Sequence, residues 1–161
     1  MEKTMDESAV VPGASAEAAD EGEEKLARFG ISLPRDLLEP FDTLLRKKGY
    51  KSRSEAIRDL IRSALVEDEW KDSDAVVAGT LTLVYDHHNH DLPMKLMDIQ
   101  HDHHEVVVTT QHVHLDHHNC LEVLILRGQA SVIGSLADKL IACNGIKHGI
   151  FVPSTTGKTI A

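Results

Sequence analysis

At 161 residues the chain is long enough for one domain of ordinary size or for two small ones. It has no apolar run long enough to cross a membrane and no charged-then-apolar leader, so we expect neither membrane insertion nor secretion. Its two cysteines are too few for a disulfide framework, which favours a reducing, cytoplasmic location.

The formal net charge of −9 is unevenly distributed along the chain. Residues 1–24 carry eight acidic and one basic side chains, a balance of −7, and residues 66–161 carry thirteen and six, again −7. Residues 25–65 between them carry ten basic and five acidic side chains, a balance of +5. A basic segment between two acidic ones indicates that the middle piece meets a polyanion, although charge runs are often only solvated faces.

Residues 1–25 form an acidic leader. Ala, Glu, Asp and Ser predominate in it, and it shows no clear apolar period. A segment of this composition cannot bury enough apolar surface to offset its loss of chain entropy. We therefore expect this leader to be disordered.

Residues 27–33 alternate between apolar and other side chains, which is typical of a half-buried strand. A lone short strand is not stable, and the segments that follow are helical. The economical partner is the same strand of a second chain. One face of this strand would carry Arg28, Gly30 and Ser32, and the other Ala27, Phe29, Ile31 and Leu33.

Two helices are predicted after this strand. The first spans about residues 34–48 and ends at Gly49. Pro40 inside it predicts a late start or a kink, because proline has no N–H to donate. The second begins at a capping box, with Ser52 as the N-cap and Glu55 three residues later, and its apolar period continues to Leu65. The acidic residues 67–74 are interpreted as a connection, which predicts domains at 26–66 and 75–157.

The segment from residue 75 onward predicts six elements in the order βαββαβ. They are a strand at 76–85, a helix at 92–100, a hairpin of strands 106–115 and 120–126, a helix at 130–142 and a strand at 146–152. This order is that of the ferredoxin-like split βαβ unit, and the connections have ordinary lengths. The predicted fold class of the chain is therefore α+β.

Ten of the eleven histidines lie within 32 residues, and two of them stand at strand spacing before a cysteine. Alternate residues of a strand share a face, so His112 and His114 can face one ion while Val113 and Leu115 face the core. A hairpin turn would bring the Cys120 sulfur back beside the pair. A thiolate added to imidazoles selects late first-row transition metals.

Most ions of this class take at least four ligands, and His101 is the candidate for the fourth, from this chain or a neighbouring one. Tetrahedral placement would favour zinc and square-planar placement nickel(II) or copper(II), and the spacing does not decide between them. A closed ligand set leaves no position for a substrate. Because the sequence also lacks a Gly-rich phosphate loop, an H-E-x-x-H motif and a convincing nucleophile–base pair, we predict that the protein is not an enzyme.

The remaining histidines are interpreted separately. His87, His88 and His90 form a cluster near the end of the first strand of the βαββαβ unit, which could hold a second, weaker ion. The other four near the hairpin, His103, His104, His117 and His118, are interpreted as solvent-exposed polar residues. Cys143, late in a predicted helix, is interpreted as a small buried hydrophobic residue.

Three stretches resemble the NikR family of nickel-responsive transcriptional regulators, over about residues 26–157. Residues 28–33 resemble the DNA-binding strand of that family, and residues 49–59 resemble the start of its second helix. The most specific match is His112-Val113-His114 with Asn119-Cys120-Leu121-Glu122-Val123, which resembles the family's metal hairpin. The helix start alone would indicate only ribbon-helix-helix regulators in general.

The resemblance implies a dimeric ribbon-helix-helix domain of β-α-α order whose paired strands enter the major groove of DNA. Arg28, Gly30 and Ser32 would face the bases, and Gly30 departs from the hydroxyl residue usual at that step. The family's phosphate-contacting segment corresponds to Ser52, Arg53 and Ser54, at a helix N-terminus that offers free N–H groups.

The resemblance also implies an ACT-like second domain that assembles into a central tetramer, a dimer of dimers. Square-planar Ni(II), one per subunit, would be held by His112, His114 and Cys120 of one subunit and His101 of another. Glu122 would contact the ligands without binding the ion. A weaker match places Glu55 and Asp59 in a cation site between the domains.

These observations predict a homotetrameric, nickel-dependent repressor of nickel-uptake genes that binds a palindromic operator in double-stranded DNA. Nickel at the tetramer interface would bias the ribbon-helix-helix dimers toward operator binding. Two alternatives remain: a regulator of the same build that responds to cobalt, copper or zinc, and a metal-buffering protein without specific DNA binding.

Overall fold

A computed structural model describes residues 28–89 and 91–160. The predicted acidic leader, Ala27 and His90 lie outside these residues. The described chain contains four helices and four strands in this order: α1 (Arg35–Lys48), α2 (Arg53–Glu69), β1 (Val76–Asp86), α3 (Asp91–His101), β2 (Val107–His114), β3 (Asn119–Gln129), α4 (Ala130–Ile141) and β4 (Ile146–Ser154). No helix among the described residues has the length and apolar character needed to span a bilayer.

Helix α1 begins directly after Pro34, whose carbonyl accepts hydrogen bonds from Leu37 N (3.2 Å) and Leu38 N (3.1 Å). It ends at Gly49, which adopts the left-handed conformation with φ 80°, as predicted. The expected late start is not observed, and the helix continues through Pro40. Since Pro40 lies near the helix N-terminus, its missing N–H removes only one bond to the first turn.

Helix α2 begins at the predicted capping box. Ser52 Oγ accepts from Glu55 N at 3.2 Å, and the Glu55 carboxylate accepts from Lys51 N at 3.2 Å. The helix runs to Glu69, so the acidic connection predicted from residue 67 begins inside the helix. The next residue explains the extension, because Trp70 Nε1 donates to Ser154 O at 2.7 Å and the ring packs edge-on against Phe151.

The first segment of the described chain, residues 28–34, belongs to no helix or strand. Its apolar side chains are open to solvent: Phe29 is 69% exposed, Ile31 52% and Leu33 42%. They line one groove together with apolar residues of α1 and α2. The two helices bury only Leu45 and Ala56. Among the residues that the structure describes, the predicted strand therefore has no hydrogen-bonded neighbour, and the apolar side chains of this segment stay exposed.

The four strands form one antiparallel sheet in the order β2-β3-β1-β4. Alternate residues of β1 are buried, and they pack into one core with residues of β3, α3 and α4. The largest fully buried side chains of this core are Leu81, Leu83, Tyr85, Leu92, Leu96, Leu124, Leu126, Ile133, Leu136 and Leu140. This architecture confirms the predicted α+β class and the βαββαβ order.

One expectation about the core is wrong. Val113 and Leu115 do not face it; they are 40% and 54% exposed. Val113 pairs with Leu121, on the side of the sheet opposite Cys120 and Glu122. β2 is an edge strand, and in the described chain no element covers that side of it.

The core of the second half generates a stability prediction. Leu96 on α3 is 1% exposed, whereas Met94 on the same helix is 61% exposed. Leu96→Ala should lower the free energy of unfolding by about 2–5 kcal/mol, because it leaves a cavity. The control Met94→Ala should stay within about 0.5 kcal/mol of the parent protein. Urea denaturation at one protein concentration, followed by circular dichroism, measures both; equal effects would contradict the described core.

Candidate metal centre

The hairpin of β2 and β3 brings the predicted metal residues to one face of the sheet. In the strand register His114 stands opposite Cys120 and His112 opposite Glu122. Because alternate residues share a face, all four side chains lie on the same side. This side is the one that carries α3 and α4, at the edge where the helices no longer cover β2.

The turn between the two strands is held by one carboxylate. Asp116 Oδ1 accepts from the backbone N–H groups of His118 and Asn119, each at 2.8 Å, and both carboxylate oxygens contact the Asn119 amide. The Asn119 side chain, followed by these backbone donors, lowers the pKa of Asp116 to about 2. The carboxylate therefore stays ionised, which keeps the turn closed in front of Cys120.

A buried thiol and two imidazoles meet beyond this turn. Cys120 Sγ lies 3.2 Å from His114 Nδ1 and 3.2 Å from His87 Nδ1. With bonds of about 2.3 Å to sulfur and about 2.0 Å to nitrogen, two donors of one ion stand about 3.1 Å apart at a right angle and about 3.5 Å apart at a tetrahedral angle. The observed separations fall between these values. The donor set thus fits a transition-metal ion that accepts a thiolate.

His87 is the residue that the sequence interpretation assigned elsewhere, to a separate cluster with His88 and His90. The structure places it at the thiol instead, because β1 pairs with β3 and Tyr85 stands opposite Cys120. His87 follows β1 directly and so reaches the same edge. The signal was available in the predicted topology, since the first and third strands of a ferredoxin-like sheet are neighbours.

His112 and His101, two of the predicted metal ligands, lie outside the cluster at the thiol. Among the described residues, the group at the thiol whose ligand atoms lie within 4.8 Å of one another consists of His87, His114 and Cys120, and neither His112 nor His101 belongs to it. The His112 ring is 5.0 Å from the His114 ring, and His112 Nδ1 is 3.2 Å from Tyr85 Oη. His101 is the exposed last residue of α3.

Behind the imidazoles lies a buried carboxylate, Glu122. It accepts from Tyr85 Oη at 2.5 Å and from Gln100 Nε2 at 2.7 Å, and Thr110 Oγ1 donates to Gln100 Oε1 at 2.8 Å. Burial and the bond to Glu122 raise the pKa of Tyr85 far above its usual range, so its hydroxyl remains a donor. Because the Tyr85 hydroxyl donates its hydrogen bond to Glu122, its oxygen can accept from His112 Nδ1–H, which leaves the His112 Nε2 lone pair for an ion.

In the metal-free centre, burial favours the neutral forms of the Cys120 thiol and the His87 imidazole. It raises the pKa of the Cys120 thiol, and the carboxylates of Asp86, Glu122 and Asp116 add to the effect. Desolvation lowers the pKa of His87, with further contributions from His88 and His114. The thiol must lose a proton when an ion binds, whereas the His87 imidazole already favours the neutral form that metals require.

The predicted DNA-contacting residues are all exposed, in the first segment and at the start of α2. Arg28, Gly30 and Ser32 are exposed within residues 28–34, and Ser54 is exposed in the first turn of α2. Arg53 forms a two-point ion pair with Asp42, through Nε at 2.7 Å and a terminal nitrogen at 2.6 Å. That hydrogen bond lowers the pKa of Asp42. The pair fixes the N-terminus of α2 against α1.

The two carboxylates predicted for an interdomain cation have partners within the chain. Glu55 accepts from Lys51 N, and Asp59 accepts from Tyr50 Oη at 3.0 Å and pairs with Arg62 at 3.4 Å. Neither belongs to the candidate metal groups of the described residues. Their observed role is to join the residues around the start of α2.

Comparisons with known proteins agree with this geometry. Residues 78–152 match the model of the NikR C-terminal nickel-binding domain, and residues 27–68 match that of ribbon-helix-helix proteins of the copG family. The chain belongs to the NikR family. This is a family of transcriptional regulators and not of enzymes, which confirms the prediction that the protein is not an enzyme.

Three relatives show how far the similarity to the NikR family extends, and each is named "Putative nickel-responsive regulator". The one from Desulfovibrio desulfuricans is 65% identical over 136 residues, which are 84% of this chain and 98% of that protein. The one from Geobacter sulfurreducens is 56% identical, over 83% of this chain and 96% of its own. The one from Thermococcus onnurineus is 48% identical, over 84% and 99%.

The Glu122 network generates a prediction for metal binding. Glu122→Gln should weaken Ni(II) binding about 10- to 100-fold, because the amide cannot accept from both Tyr85 and Gln100 as the carboxylate does. Glu105→Gln, which changes an exposed carboxylate, is the matched control and should bind as the parent does. Competition against a chelator measures both affinities. Equal affinities of the two variants would show that the network does not support the centre.

Proposed function

We propose that the protein is a homotetrameric, nickel-dependent transcriptional repressor of nickel-uptake genes, acting in the cytoplasm. Residues 26–66 would form its DNA-binding domain, and residues 75–157 its nickel-binding and tetramerisation domain. The observation that carries the proposal is the buried thiol of Cys120, which lies 3.2 Å from two imidazoles in a chain of the NikR family. A thiolate among imidazoles suits Ni(II), and one ion per subunit is proposed.

The proposed ligands are His112, His114 and Cys120 of one subunit and His101 of another. The shared face of the first three supports this set, as does the bond of His112 Nδ1 to Tyr85, which directs Nε2 away from the core. His87 would occupy the position beside the thiol until the ion binds. Bound nickel would link two subunits, because its proposed ligands come from both of them.

Two uncovered apolar surfaces support the oligomer. The groove of the first segment, beside Phe29 and Ile31, is what a second ribbon-helix-helix copy would bury. On the sheet face away from the helices, Ile125, Ile150 and Val152 are 44–48% exposed. Exposed apolar surfaces are typical of protein–protein contacts.

In the proposed complex with DNA, the paired strands place Arg28, Gly30 and Ser32 in the major groove of a palindromic operator. Ser52, Arg53 and Ser54 contact phosphate at the N-terminus of α2, where the helix dipole favours an anion. Arg53 uses two nitrogens on Asp42 and keeps other N–H donors for a phosphate. The basic balance of residues 25–65 supports the same assignment.

Nickel would regulate DNA binding by favouring one arrangement of the two ribbon-helix-helix dimers. A ligand shifts such an equilibrium only by its difference in affinity for the two arrangements. The His101 ligand would create that difference, since it reaches the ion only when two second domains are correctly apposed. A coupling free energy of about 1–3 kcal/mol is usual for such regulation.

The ligand assignment can be tested with two single substitutions. His112→Ala should remove most of the nickel–thiolate absorption, because it deletes a proposed ligand. His87→Ala, which also removes one imidazole near the thiol, should retain that absorption. Ultraviolet–visible spectra with one equivalent of Ni(II) distinguish them. Loss of the band in His87→Ala alone would assign the ligand to His87 and sink the proposed set.

The regulatory proposal can be tested by substituting each of the two cysteines in turn. Cys120→Ala should abolish the nickel stimulation of DNA binding, a loss of about 5- to 150-fold for a coupling of usual size. Cys143→Ala is the control, since Cys143 is also buried, but its sulfur donates to Lys139 O and it belongs to none of the candidate metal groups of the described residues. Gel-shift assays with promoter DNA of a nickel-uptake gene measure the effect, with circular dichroism to compare folding.

The same assay separates the alternatives. A regulator of the same build that serves another metal would respond more strongly to cobalt, copper or zinc than to nickel. A metal-buffering protein would bind nickel without any nickel-dependent binding of the promoter. Nickel-stimulated binding that persists in Cys120→Ala would refute the proposed mechanism.

A further inference from the structure

A second cluster of imidazoles lies outside the candidate centre. His88, His117 and His118 are exposed, and their ligand atoms lie within 4.8 Å of one another. The ring centroids of His88 and His117 are 5.3 Å apart, those of His88 and His118 5.1 Å, and those of His117 and His118 5.0 Å. The sequence interpretation had placed His88 in one group and the other two among exposed polar residues. The sheet brings all three to one point.

The backbone that carries these rings is held from both sides. His117 and His118 lie in the β2–β3 turn, which Asp116 closes through two backbone hydrogen bonds. The turn after β1 is joined to it, because His87 N donates to His118 O at 3.3 Å. The three imidazoles are therefore brought together by hydrogen-bonded turns before any ion is present, which reduces the entropy that binding must remove.

One ring of the three is also oriented by a carboxylate. His88 Nδ1 lies 3.1 Å from Asp86 Oδ1, which in addition accepts from His88 N at 3.0 Å. A carboxylate that accepts the Nδ1 proton leaves the Nε2 lone pair for a metal, an arrangement common behind metal-binding histidines. Lys147 Nζ lies 3.8 Å from the other oxygen of Asp86 and 2.7 Å from Asn119 Oδ1. This cation is paired to Asp86 and Asn119 at the border of the cluster.

We propose that His88, His117 and His118 form a second, solvent-open site for a divalent late transition-metal ion. Imidazole donors suit zinc, copper and nickel, and three of them leave positions for water. The site contains no thiolate, so its ion is distinct in chemistry from one at Cys120. It adjoins the first centre, because the rings of His87 and His88 are stacked with centroids 4.3 Å apart. The proposal does not depend on repression or on the ligand set at Cys120.

The test is the number of Ni(II) ions that the full chain binds. Equilibrium dialysis against Ni(II), with metal analysis of the protein, should give two ions per chain for the parent and one for His117→Ala/His118→Ala. The nickel–thiolate absorption should be the same in both, because that variant leaves Cys120 and its neighbouring imidazoles in place. His104→Ala/His148→Ala removes two other exposed histidines, neither in a described metal group, and should still bind two ions.

The outcomes separate the two sites. The same number of Ni(II) ions bound by the parent and by the His117→Ala/His118→Ala variant would overturn the second site. Equal losses in the two double variants would show non-specific binding to exposed histidines and would also overturn it. Failure of the proposed centre at Cys120 would give a different result, because Cys120→Ala would then have the same absorption as the parent. The second site requires only that Cys120→Ala still binds one ion through His88, His117 and His118.

Discussion

β1 and β3 are paired along their whole length, from Val76 opposite Gln129 to Asp86 opposite Asn119. This register sets Tyr85 beside Cys120 and brings the turn after β1 to the start of β3, where both histidine groups lie. β2 adds His114 on the other side of the thiol. Side chains alternate along a strand, so a slip of one residue would turn Cys120 and Glu122 to the opposite face. The donor groups therefore exist as sites only in this one register.

Among the described residues Glu122 is the one charged side chain that is buried, and burying such a charge is costly unless hydrogen bonds satisfy it. Tyr85 and Gln100 supply those bonds. The same bonds connect β3 to the end of α3, one residue before His101. The hydrogen bonds of Glu122 therefore both stabilise the fold and hold the residues beside the metal centre. A displacement at the end of α3 would be felt by Glu122 and, through Tyr85, by His112.

Several surfaces of the single chain expose apolar side chains that a soluble protein usually buries. In the part of the chain that the structure describes, the segment that carries Arg28 has no strand partner, the groove beside it is lined largely by apolar residues, and one face of the sheet exposes aliphatic side chains. In the proposed oligomer a second copy of the chain would cover each of these surfaces and would contribute the proposed ligand His101. For a regulator this is functional, because assembly and ion binding can then share one equilibrium. The exposed imidazoles of His88, His117 and His118 differ, since they converge within one chain.

Local patterns determined much of this protein from the sequence alone. The capping box at Ser52, the left-handed Gly49 and the alternation in β1 predicted where elements begin, end and face, since these signals depend on neighbouring residues. The pairing of His114 with Cys120 followed from strand period and a short turn for the same reason. Patterns did not show that α2 continues to Glu69, where Trp70 packs on β4, or that His87 approaches the thiol and His88 joins His117 and His118. Those contacts join residues about 30 or more positions apart, and only the register of the folded sheet decides them.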